Sequence, residues 1–205
     1  MEKIFVVSAP SGGGKDATKF LIDLISKGYN MKKKIGKIFV ISSPSGGGKD
    51  YIVKGVLKDL KTKITRLPTF TTRAKREEET DGTEYFFVSE REFKDLIKSD
   101  VIFEYNIFSD NYYGSSKDKI DEAIKMGKNI ILIIDVNGAK AVKKYFPEAI
   151  LIFIYTSLKN LRKRLIDRGK NSPEDIERRL KIAEEEYKEQ KHFDFVVENI
   201  QDHPE

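Results

Sequence analysis

The stretch "KIFVISSPSGGGKDYIVKGVLKDL", residues 37–60, joins an apolar run to a helical pattern through a glycine-rich turn. Lys37 to Ser42 is rich in β-branched and aromatic residues, which predicts a short strand, and Asp50 to Leu60 is typical of a helix. In this context the backbone N–H groups of the loop surround phosphate oxygens and a lysine reaches the outer phosphates. The candidate phosphate-binding residues are Ser45, Gly46, Gly47, Gly48 and Lys49.

The loop departs from the usual G-x-x-x-x-G-K-[ST] pattern at two positions. Ser43 stands where the first glycine is common, and Asp50 stands where a Ser or Thr hydroxyl would face Mg²⁺. A carboxylate is also a hard oxygen ligand, so Asp50 is a candidate metal ligand. The alternative is that Asp50 only complements the positive end of the helix dipole, and a glycine-rich turn without any nucleotide is the alternative for the whole loop.

The rest of the chain alternates buried strands with helices. "NIILIID" (Asn129 to Asp135) and "AILIFIY" (Ala149 to Tyr155) are apolar strand patterns, and charged helical patterns cover Leu158 to Arg168 and Pro173 to Lys188. Several short strands are expected between residues 64 and 88, and Ser89 with Glu92 three residues later indicates a capping box at the start of a helix. The pattern predicts an α/β fold with three layers, in which helices cover both faces of a parallel core sheet.

Composition excludes several classes of site. The 205 residues include no cysteine, which excludes disulfides, a thiolate nucleophile and cysteine-ligated zinc, and with two histidines a histidine metal site is not expected. The net charge of +5 comes from 38 basic and 33 acidic residues, so the surface is mixed and nucleic-acid binding is not expected. No apolar run is long enough for a membrane span and the N-terminus lacks the pattern of a signal peptide, so we expect a cytoplasmic protein.

Further motifs follow the loop in a fixed order. They are "TFTTRAKR" (69–76), "DGTEYFFVSEREF" (81–93), "FEY" (103–105), "NYYGSS" (111–116), "ILIIDVNGAKAVKK" (131–144) and "LRKRLIDRG" (161–169). In this order and spacing the chain resembles guanylate kinases, from Lys37 to Asn199. The resemblance implies a P-loop fold with a GMP-binding subdomain inserted at about 66–116 and a helical lid at about 158–180. It also implies ATP and Mg²⁺ as cofactors and GMP as the substrate.

The resemblance assigns an acceptor set to the middle of the chain. It implies that the GMP phosphate is bound by Arg73, Arg76, Tyr85 and Tyr113, a set of cations and hydroxyls that suits a dianion. It implies that guanine is read by Thr69, Glu104, Ser115 and Asp135. Without the family, the two tyrosines could be ordinary strand aromatics, and Glu104 and the two arginines could be surface charges.

The resemblance also assigns a donor set. It implies that Arg164, Arg168 and Arg179 are catalytic lid arginines beside Lys49 and Arg73, and that Asn199 lies near the adenine of ATP. Ile133 stands where the family commonly has a carboxylate, which together with Asp50 leaves the metal ligands open. Helices so rich in charge are otherwise simply solvated.

The loop sequence occurs twice. Residues 3–16 and 37–50 agree at 12 of 14 positions with an offset of 34, and then diverge abruptly. Only the second copy precedes the acceptor motifs, so we expect the second loop to be the working one and divide the chain into residues 1–36 and a kinase-like domain at 37–205. "ATKFLIDLISKGYN" (17–30) resembles the family's terminal helix displaced to the front of the chain, before the basic segment "MKKKIG".

Alternatives remain for the first segment and for the function. Residues 1–30 could pack within the chain, be exchanged in a swapped homodimer, or be an unattached extension, and the protein could be a monomer or a dimer.

The leading expectation for function is ATP-dependent phosphorylation of GMP. The alternatives are a guanylate-kinase-like binding module with weakened catalysis, and a kinase for another nucleoside monophosphate.

Overall fold

The computed structural model of the protein describes residues 5–7, 14–28, 35–108, 110–169 and 171–199. The strands in these ranges are β1 Phe5–Val7, β2 Ile38–Ser42, β3 Thr65–Arg66, β4 Thr69–Thr71, β5 Tyr85–Phe87, β6 Ile102–Phe108, β7 Asn111–Ser116, β8 Ile130–Ile133, β9 Ile150–Tyr155 and β10 Phe195–Glu198. The helices are α1 Gly14–Gly28, α2 Lys49–Leu60, α3 Glu90–Lys98, α4 Lys117–Lys125, α5 Val136–Tyr145, α6 Leu158–Asp167 and α7 Pro173–Lys188.

The strands form two sheets. One has the order β1-β10-β9-β2-β8-β3, and the other has the order β5-β4-β7-β6. The pairings β1–β10, β10–β9 and β3–β8 are all parallel. The first sheet carries the apolar strands that the sequence predicts, and β2, β8 and the interior of β9 are buried. The expected mixed α/β fold with a parallel central sheet is confirmed.

The chain divides into two compact units. The first unit comprises Met1–Asn30, Ile41–Lys61 and Ile150–Glu205, and the second comprises Met31–Val40 and Thr62–Ala149. The first unit therefore holds the glycine-rich loop, α6 and α7, while the second holds the four-stranded sheet. Strand β2 contributes residues to both units. Within the described ranges, none of the helices combines the length and apolar character that a bilayer-spanning segment needs.

Helix α1 is packed on its own chain in the first unit. Ala17, Leu21 and Ile25 recur every four residues and are at most 2% exposed, so one face of the helix is buried. A Cβ added to Gly55 of α2 would lie 2.8 Å from Thr18 Cγ2, which shows that the two helices approach closely at this glycine. The Phe20 ring meets Phe195 of β10 edge to face, with 6.2 Å between centroids.

Strand β1 extends the six-stranded sheet beside β10. Phe5, Val6 and Val7 pair in register with Phe195, Val196 and Val197. The intramolecular packing of α1 and β1 is the arrangement expected of a displaced terminal helix, and we retain that origin as a proposal. Most of the first loop copy, residues 8–13, lies outside the described residues, as does most of the basic segment at 31–36.

Two local sequence patterns, the capping box at Ser89 and the carboxylate of Asp135, can be compared with the structure. Ser89 caps α3 in a capping box with Glu92, as the spacing predicts. Asp135 does not end a strand, because β8 stops at Ile133 and Asp135 instead caps α5. Its carboxylate accepts hydrogen bonds from the backbone N–H groups of Asn137 and Gly138, which would otherwise lack partners at a helix start.

Candidate active site

The glycine-rich loop of the first unit has the backbone geometry of a phosphate cradle. Gly46 and Gly48 have φ values of 92° and 91°, a left-handed conformation that favours glycine. The Gly47 N–H donates to the carbonyl oxygen of Pro44 over 2.9 Å, and α2 begins at Lys49 directly after the loop. The helix N-terminus therefore points its positive dipole end toward the loop, where an anion is favoured.

Ser43 is accommodated by the glycine opposite it. A Cβ added to Gly47 would lie 2.8 Å from Ser43 Oγ and 2.9 Å from Ser43 Cβ. The absence of a side chain at position 47 leaves room for the serine that replaces the usual first glycine. The departure at Ser43 is thus compatible with the loop, and Lys49 Nζ donates back across it to the Ser43 carbonyl oxygen over 3.4 Å.

The carbonyl oxygen of Gly47 is held by three donors. Asn199 Nδ2 donates over 2.9 Å, and Thr156 Oγ1 and one guanidinium nitrogen of Arg164 donate over 3.1 Å each. Arg164 also donates to the carbonyl oxygen of Asn199 over 3.1 Å, and burial lowers the pKa of its guanidinium. These hydrogen bonds fix the direction of the Gly47 carbonyl oxygen, and so the orientation of the peptide group that joins Gly47 to Gly48.

The other two arginines predicted for the lid, Arg168 and Arg179, occupy different positions. Arg179 donates to the Ser45 hydroxyl over 2.6 Å and to the Asp175 carboxylate over 2.7 Å, so α7 reaches the loop. Arg168 is exposed at the C-terminal end of α6. Helices α6 and α7 pack through a cluster of Leu161, Leu165, Ile176, Leu180 and Ala183. The structure thus brings Arg164 and Arg179 to the loop and leaves Arg168 at the surface.

In the second unit, one face of the four-stranded sheet collects the predicted acceptor residues. Paired residues of neighbouring strands lie on the same face of a sheet. The pairs that define this face are Thr69 with Tyr85, Thr71 with Tyr113, Asn106 with Tyr113, and Glu104 with Ser115. We call it the polar face. The opposite face carries an apolar cluster of Phe70, Phe93 and Ile102.

A β-bulge places Glu104 on the polar face. The register of β6 shifts between Ile102 and Glu104, so an extra residue is accommodated there. Ile102 packs in the apolar cluster, whereas Phe103 lies against Tyr145 of α5, with 5.0 Å between ring centroids. Regular alternation would put Ile102 and Glu104 on one face, and the bulge separates them.

Glu104 and Asp135 lie close together at the N-terminus of α5. A Cβ added to Gly138 would lie 2.8 Å from Glu104 Oε2, so the carboxyl group rests against the first turn of the helix. Burial raises the pKa of Glu104 to about 7, contact with Ser115 works against this rise, and the charge of Asp135 adds to it. Asn106 Nδ2 donates to Asp135 Oδ2 over 2.8 Å.

Arg73 lies over the aromatic part of the polar face. Its guanidinium carbon is 5.4 Å from the Tyr85 ring centroid and 5.7 Å from that of Phe87, which is cation–π geometry. The rings of Tyr85 and Tyr113 meet edge to face at 6.0 Å. These three phosphate candidates are therefore brought together, while the side chain of Arg76 is exposed.

Glu79 is a site residue that sequence reasoning missed. It accepts from the Arg73 guanidinium over 2.7 Å and from the Arg76 backbone N–H over 2.9 Å. Burial alone would raise the pKa of Glu79, but these hydrogen bonds hold it below its usual value. The carboxylate thus shows that an anion fits between Arg73 and the Arg76 backbone, although no feature of the sequence singles Glu79 out among three adjacent glutamates.

Three further residues were not predicted. Thr156 follows the C-terminal end of β9, a position where parallel strands commonly place ligand-facing residues. Gly138 is a glycine inside a helix, which is unfavourable unless close packing requires it. Asn106 carries no comparable signal. The strand-end position of Thr156 and the helical glycine at 138 could have been used to predict these residues from sequence, whereas Asn106 could not have been predicted.

Potential metal ligands are few. The residues that the structure describes contain no cluster of three or more His, Asp or Glu side chains that could hold a metal by itself. Asp50 is exposed in the first turn of α2, next to the loop. Ile133 is buried in β8 and offers no ligand. This arrangement suits Mg²⁺ held mainly by substrate phosphates with one protein carboxylate, because Mg²⁺ is commonly bound in that way.

Comparison with known proteins identifies the family. The guanylate kinase family model matches residues 35–202. A guanylate kinase from Polaromonas sp. is 42% identical over 197 residues, covering 96% of this chain and 79% of that protein. A guanylate kinase from Bacillus cereus is 42% identical over 132 residues, and the match spans 64% of the length of each protein.

A solved structure agrees with the sequence matches. The crystal structure of guanylate kinase from Anaplasma phagocytophilum superposes with a TM-score of 0.65 at 29% identity, and the match covers 84% of this chain and 81% of that one. The expectation drawn from the ordered motifs is confirmed, and the chain belongs to the guanylate kinase family.

Proposed function

We propose that this protein catalyses Mg²⁺-dependent transfer of the γ-phosphoryl group of ATP to GMP, giving ADP and GDP. Membership of the guanylate kinase family supports the reaction class. The observation that carries the proposal is the polar face of the second unit, where Thr69, Tyr85, Glu104, Tyr113 and Ser115 lie together although they are distant in sequence.

The acceptor phosphate is bound by Arg73 with Tyr85 and Tyr113. Arg73 already binds a carboxylate, Glu79, with one nitrogen at 2.7 and 3.0 Å from its two oxygens. A guanidinium that forms charge-assisted bonds with a carboxylate has the donor geometry for a phosphate. The GMP phosphate would replace the Glu79 carboxylate at the Arg73 guanidinium, and the exposed side chain of Arg76 would add a second positive charge.

Guanine is selected by Glu104 and Asp135, with Thr69 and Ser115 beside them. A carboxylate accepts hydrogen bonds from N1–H and the exocyclic amine of guanine. Adenine has no N1–H, so it would leave a buried acceptor unpaired, which costs roughly 1–3 kcal/mol. Thr69 and Ser115 are 5% and 1% exposed, so the site around Glu104 excludes much of the solvent that would weaken this selection.

The donor is bound by the second glycine-rich loop. The N–H groups of residues 46–48 and Lys49 bind the phosphates, Ser45 adds a hydroxyl, and Asn199 supports the loop and lies toward the adenine. Asp50 would hold Mg²⁺, which supplies positive charge to the phosphate oxygens when bound. Because the first loop copy has no acceptor motifs after it, we assign no reaction to residues 8–16.

The chain has little covalent chemistry to perform. In the transfer, the bond from the γ-phosphorus to the bridging oxygen of ADP breaks as a bond to a GMP phosphate oxygen forms. The catalytic demand is for alignment and for positive charge on the transferring group. Lys49, Arg164 and Arg179 supply that charge from the loop side, and Arg168 would join them from its exposed position.

Several parts of the assignment follow from the same proposal. The protein would act in purine nucleotide metabolism in the cytoplasm, on small-molecule ligands and without nucleic acid or membrane. It would work as a monomer or homodimer. The lid would correspond to about residues 158–180 and the GMP-binding subdomain to about 66–116, which includes the polar face.

A coupled assay of ADP release tests the proposal. The protein is supplied with ATP, Mg²⁺ and, in turn, GMP, AMP, UMP or dTMP. We expect turnover with GMP alone and a loss of at least about a hundredfold in Lys49→Ala, because one catalytic cation is removed. Lys54→Ala, an exposed lysine on the same helix, is the matched control and keeps full activity.

The other outcomes separate the alternatives. Turnover with a different monophosphate would identify a kinase of another specificity. No turnover with any acceptor, together with calorimetric binding of GMP, would identify a binding module, which the departures at Asp50 and Ile133 favour. If the protein shows no turnover and does not bind GMP, both the kinase and the binding module are rejected.

A further inference from the structure

Asn106 and the N-terminus of helix α5 bond different oxygens of the Asp135 carboxylate. Asp135 Oδ1 accepts from the N–H groups of Asn137 and Gly138 over 2.8 and 2.9 Å. Its other oxygen, Oδ2, accepts from Asn106 Nδ2 over 2.8 Å. Both oxygens of the carboxylate are thus engaged, one by the end of α5 and one by a side chain of β6.

The amide of Asn106 is itself oriented. Its oxygen accepts from the Ile107 backbone N–H over 2.8 Å, so its NH₂ group faces Asp135. Asn106 lies two residues beyond Glu104 on β6, which places both side chains on the polar face. The strand therefore presents a carboxyl group and an amide donor side by side to the N-terminus of α5.

The Asn106 donor matters because the carboxyl group of Glu104 lies near that of Asp135. Glu104 rests against the first turn of α5, close to Gly138, and two carboxylates at one site repel each other. Without this donor, the negative charge on Asp135 Oδ2 would lack the hydrogen bond that Asn106 supplies. The Asn106 amide offsets part of the negative charge on Oδ2 and keeps one lone pair of that oxygen in a fixed direction.

We propose that Asn106 is a positioning residue for base recognition, which holds the Asp135 carboxylate in the orientation that accepts from a 2-amino-6-oxopurine. This inference rests on the proposed function, because it concerns the base of the acceptor nucleotide. Asn106 acts through Asp135 and does not touch the reacting atoms. The ligand class is a purine nucleotide that carries an N–H and an exocyclic amine on one edge.

The test uses Asn106→Leu, which keeps the approximate size of the side chain and removes the donor. We expect the KM for GMP to rise by roughly tenfold, the size of one lost hydrogen bond to a charged group, with kcat and the KM for ATP nearly unchanged. Asn106→Asp, which offers only an acceptor to Asp135, should raise the KM for GMP further. Ile107 is exposed and its side chain lies on the other face of the same strand, so Ile107→Ala is the control and keeps the wild-type KM.

A double-mutant cycle separates positioning from a purely structural role. In an Asp135→Ala background, adding Asn106→Leu should leave the KM for GMP unchanged, because the carboxylate through which Asn106 acts is gone. Additive effects of the two substitutions would overturn the inference. Equal increases in the KM values for GMP and ATP would also overturn it, since they would indicate a general disturbance of the fold.

The failure of this inference can be told apart from the failure of the proposed function. If the wild-type protein phosphorylates GMP and Asn106→Leu has the wild-type KM, only the role of Asn106 is rejected. If the wild-type protein has no kinase activity, the dissociation constant for GMP, measured by calorimetry, replaces KM in the same comparison. In that case unchanged GMP affinity in Asn106→Leu rejects the inference, and a roughly tenfold weaker affinity supports it.

Discussion

The guanidinium of Arg164 donates to the carbonyl oxygen of Gly47 over 3.1 Å, and so joins helix α6 to the middle of the glycine-rich loop. The same nitrogen donates to Thr156 Oγ1 over 3.2 Å, and Thr156 donates in turn to Gly47. Arg164 thus directs its donors to groups of the protein itself. Its contribution to the loop is one of shape as well as charge.

Replacing Arg164 with lysine should impair ATP binding selectively. A lysine has one nitrogen and cannot bond the carbonyl oxygens of Gly47 and Asn199 with separate ends of a planar fork. We expect the KM for ATP to rise about tenfold or more, and the KM for GMP to stay within about twofold. Steady-state kinetics with each substrate varied in turn measure both values.

Two companion variants sharpen this prediction. Thr156→Val removes a fully buried hydroxyl while keeping the side-chain shape, and should give a smaller rise in the KM for ATP. Lys163→Ala changes an exposed residue of the same helix and should have no effect. If Arg164→Lys raised the KM for GMP as much as that for ATP, its assigned role at the loop would be wrong.

The pH dependence of stability should reveal the proton on Glu104. In the folded chain burial raises the pKa of this group from 4.5 to about 7, so between these values the folded state holds a proton that the unfolded state has lost. The stabilisation is full below about pH 4.5 and is lost as the pH rises through about 7. Its size is on the order of 3 kcal/mol at most.

Urea unfolding of wild type and Glu104→Gln between pH 4.5 and 8 measures this effect. The variant carries a permanently neutral group, so its stability should exceed that of wild type increasingly as the pH rises. Glu148→Gln, at an exposed position, serves as the control. Parallel pH profiles for wild type and Glu104→Gln would show that Glu104 does not retain its proton.

Gly138→Ala should separate stability from base recognition. The added methyl group would lie 2.8 Å from Glu104 Oε2, so the carboxyl group has to move away from the helix. Alanine is more favourable than glycine in a helix by up to about 1 kcal/mol, so we expect the melting temperature to be held or raised slightly.

The KM for GMP should nevertheless rise at least about tenfold in this variant, because the carboxyl group that we propose reads the base is displaced. Lys144→Ala, an exposed position on the same helix, provides the comparison and should bind GMP normally. An unchanged KM for GMP in Gly138→Ala would mean that the close approach of Glu104 to α5 has no role in recognition.

Leu21→Ala tests whether α1 is part of the folded core. Leu21 is 0% exposed, and truncation of a buried leucine usually costs about 2–5 kcal/mol of unfolding free energy. We expect a loss of about 3 kcal/mol in chemical unfolding, against almost none for Lys19→Ala on the exposed side of the helix. Equal stabilities would support an unattached extension.

The predictions from sequence succeeded where a local pattern carries the information. The strand–loop–helix unit, the capping box at Ser89 and the two charged helices were all predicted within one or two residues. Asp135 was assigned to the end of a strand, because sequence alone does not show whether a carboxylate after an apolar run ends it or caps the next helix. The structure shows that Asp135 caps helix α5.

The candidate site was predicted unevenly. The ordered motifs identified Arg73, Tyr85, Glu104 and Tyr113, and the sheet registers place the last three on one face. Glu79, Asn106 and Thr156 were missed because their importance comes from partners that are not adjacent in sequence. Arg168, although it belongs to the same motif as Arg164, is exposed, while Arg164 reaches the loop because it lies one helical turn closer to it.

By itself the sequence determined the element types, the parallel sheet, the glycine-rich loop and the family, because each follows from short-range periodicity or from an ordered set of motifs. Tertiary structure alone decided that a β-bulge directs Glu104 to the polar face and that Asn106 and α5 hold the Asp135 carboxylate from two sides. It also decided that three donors converge on Gly47. Such contacts depend on strand register and on the close approach of distant segments, and neither is encoded in local composition or spacing.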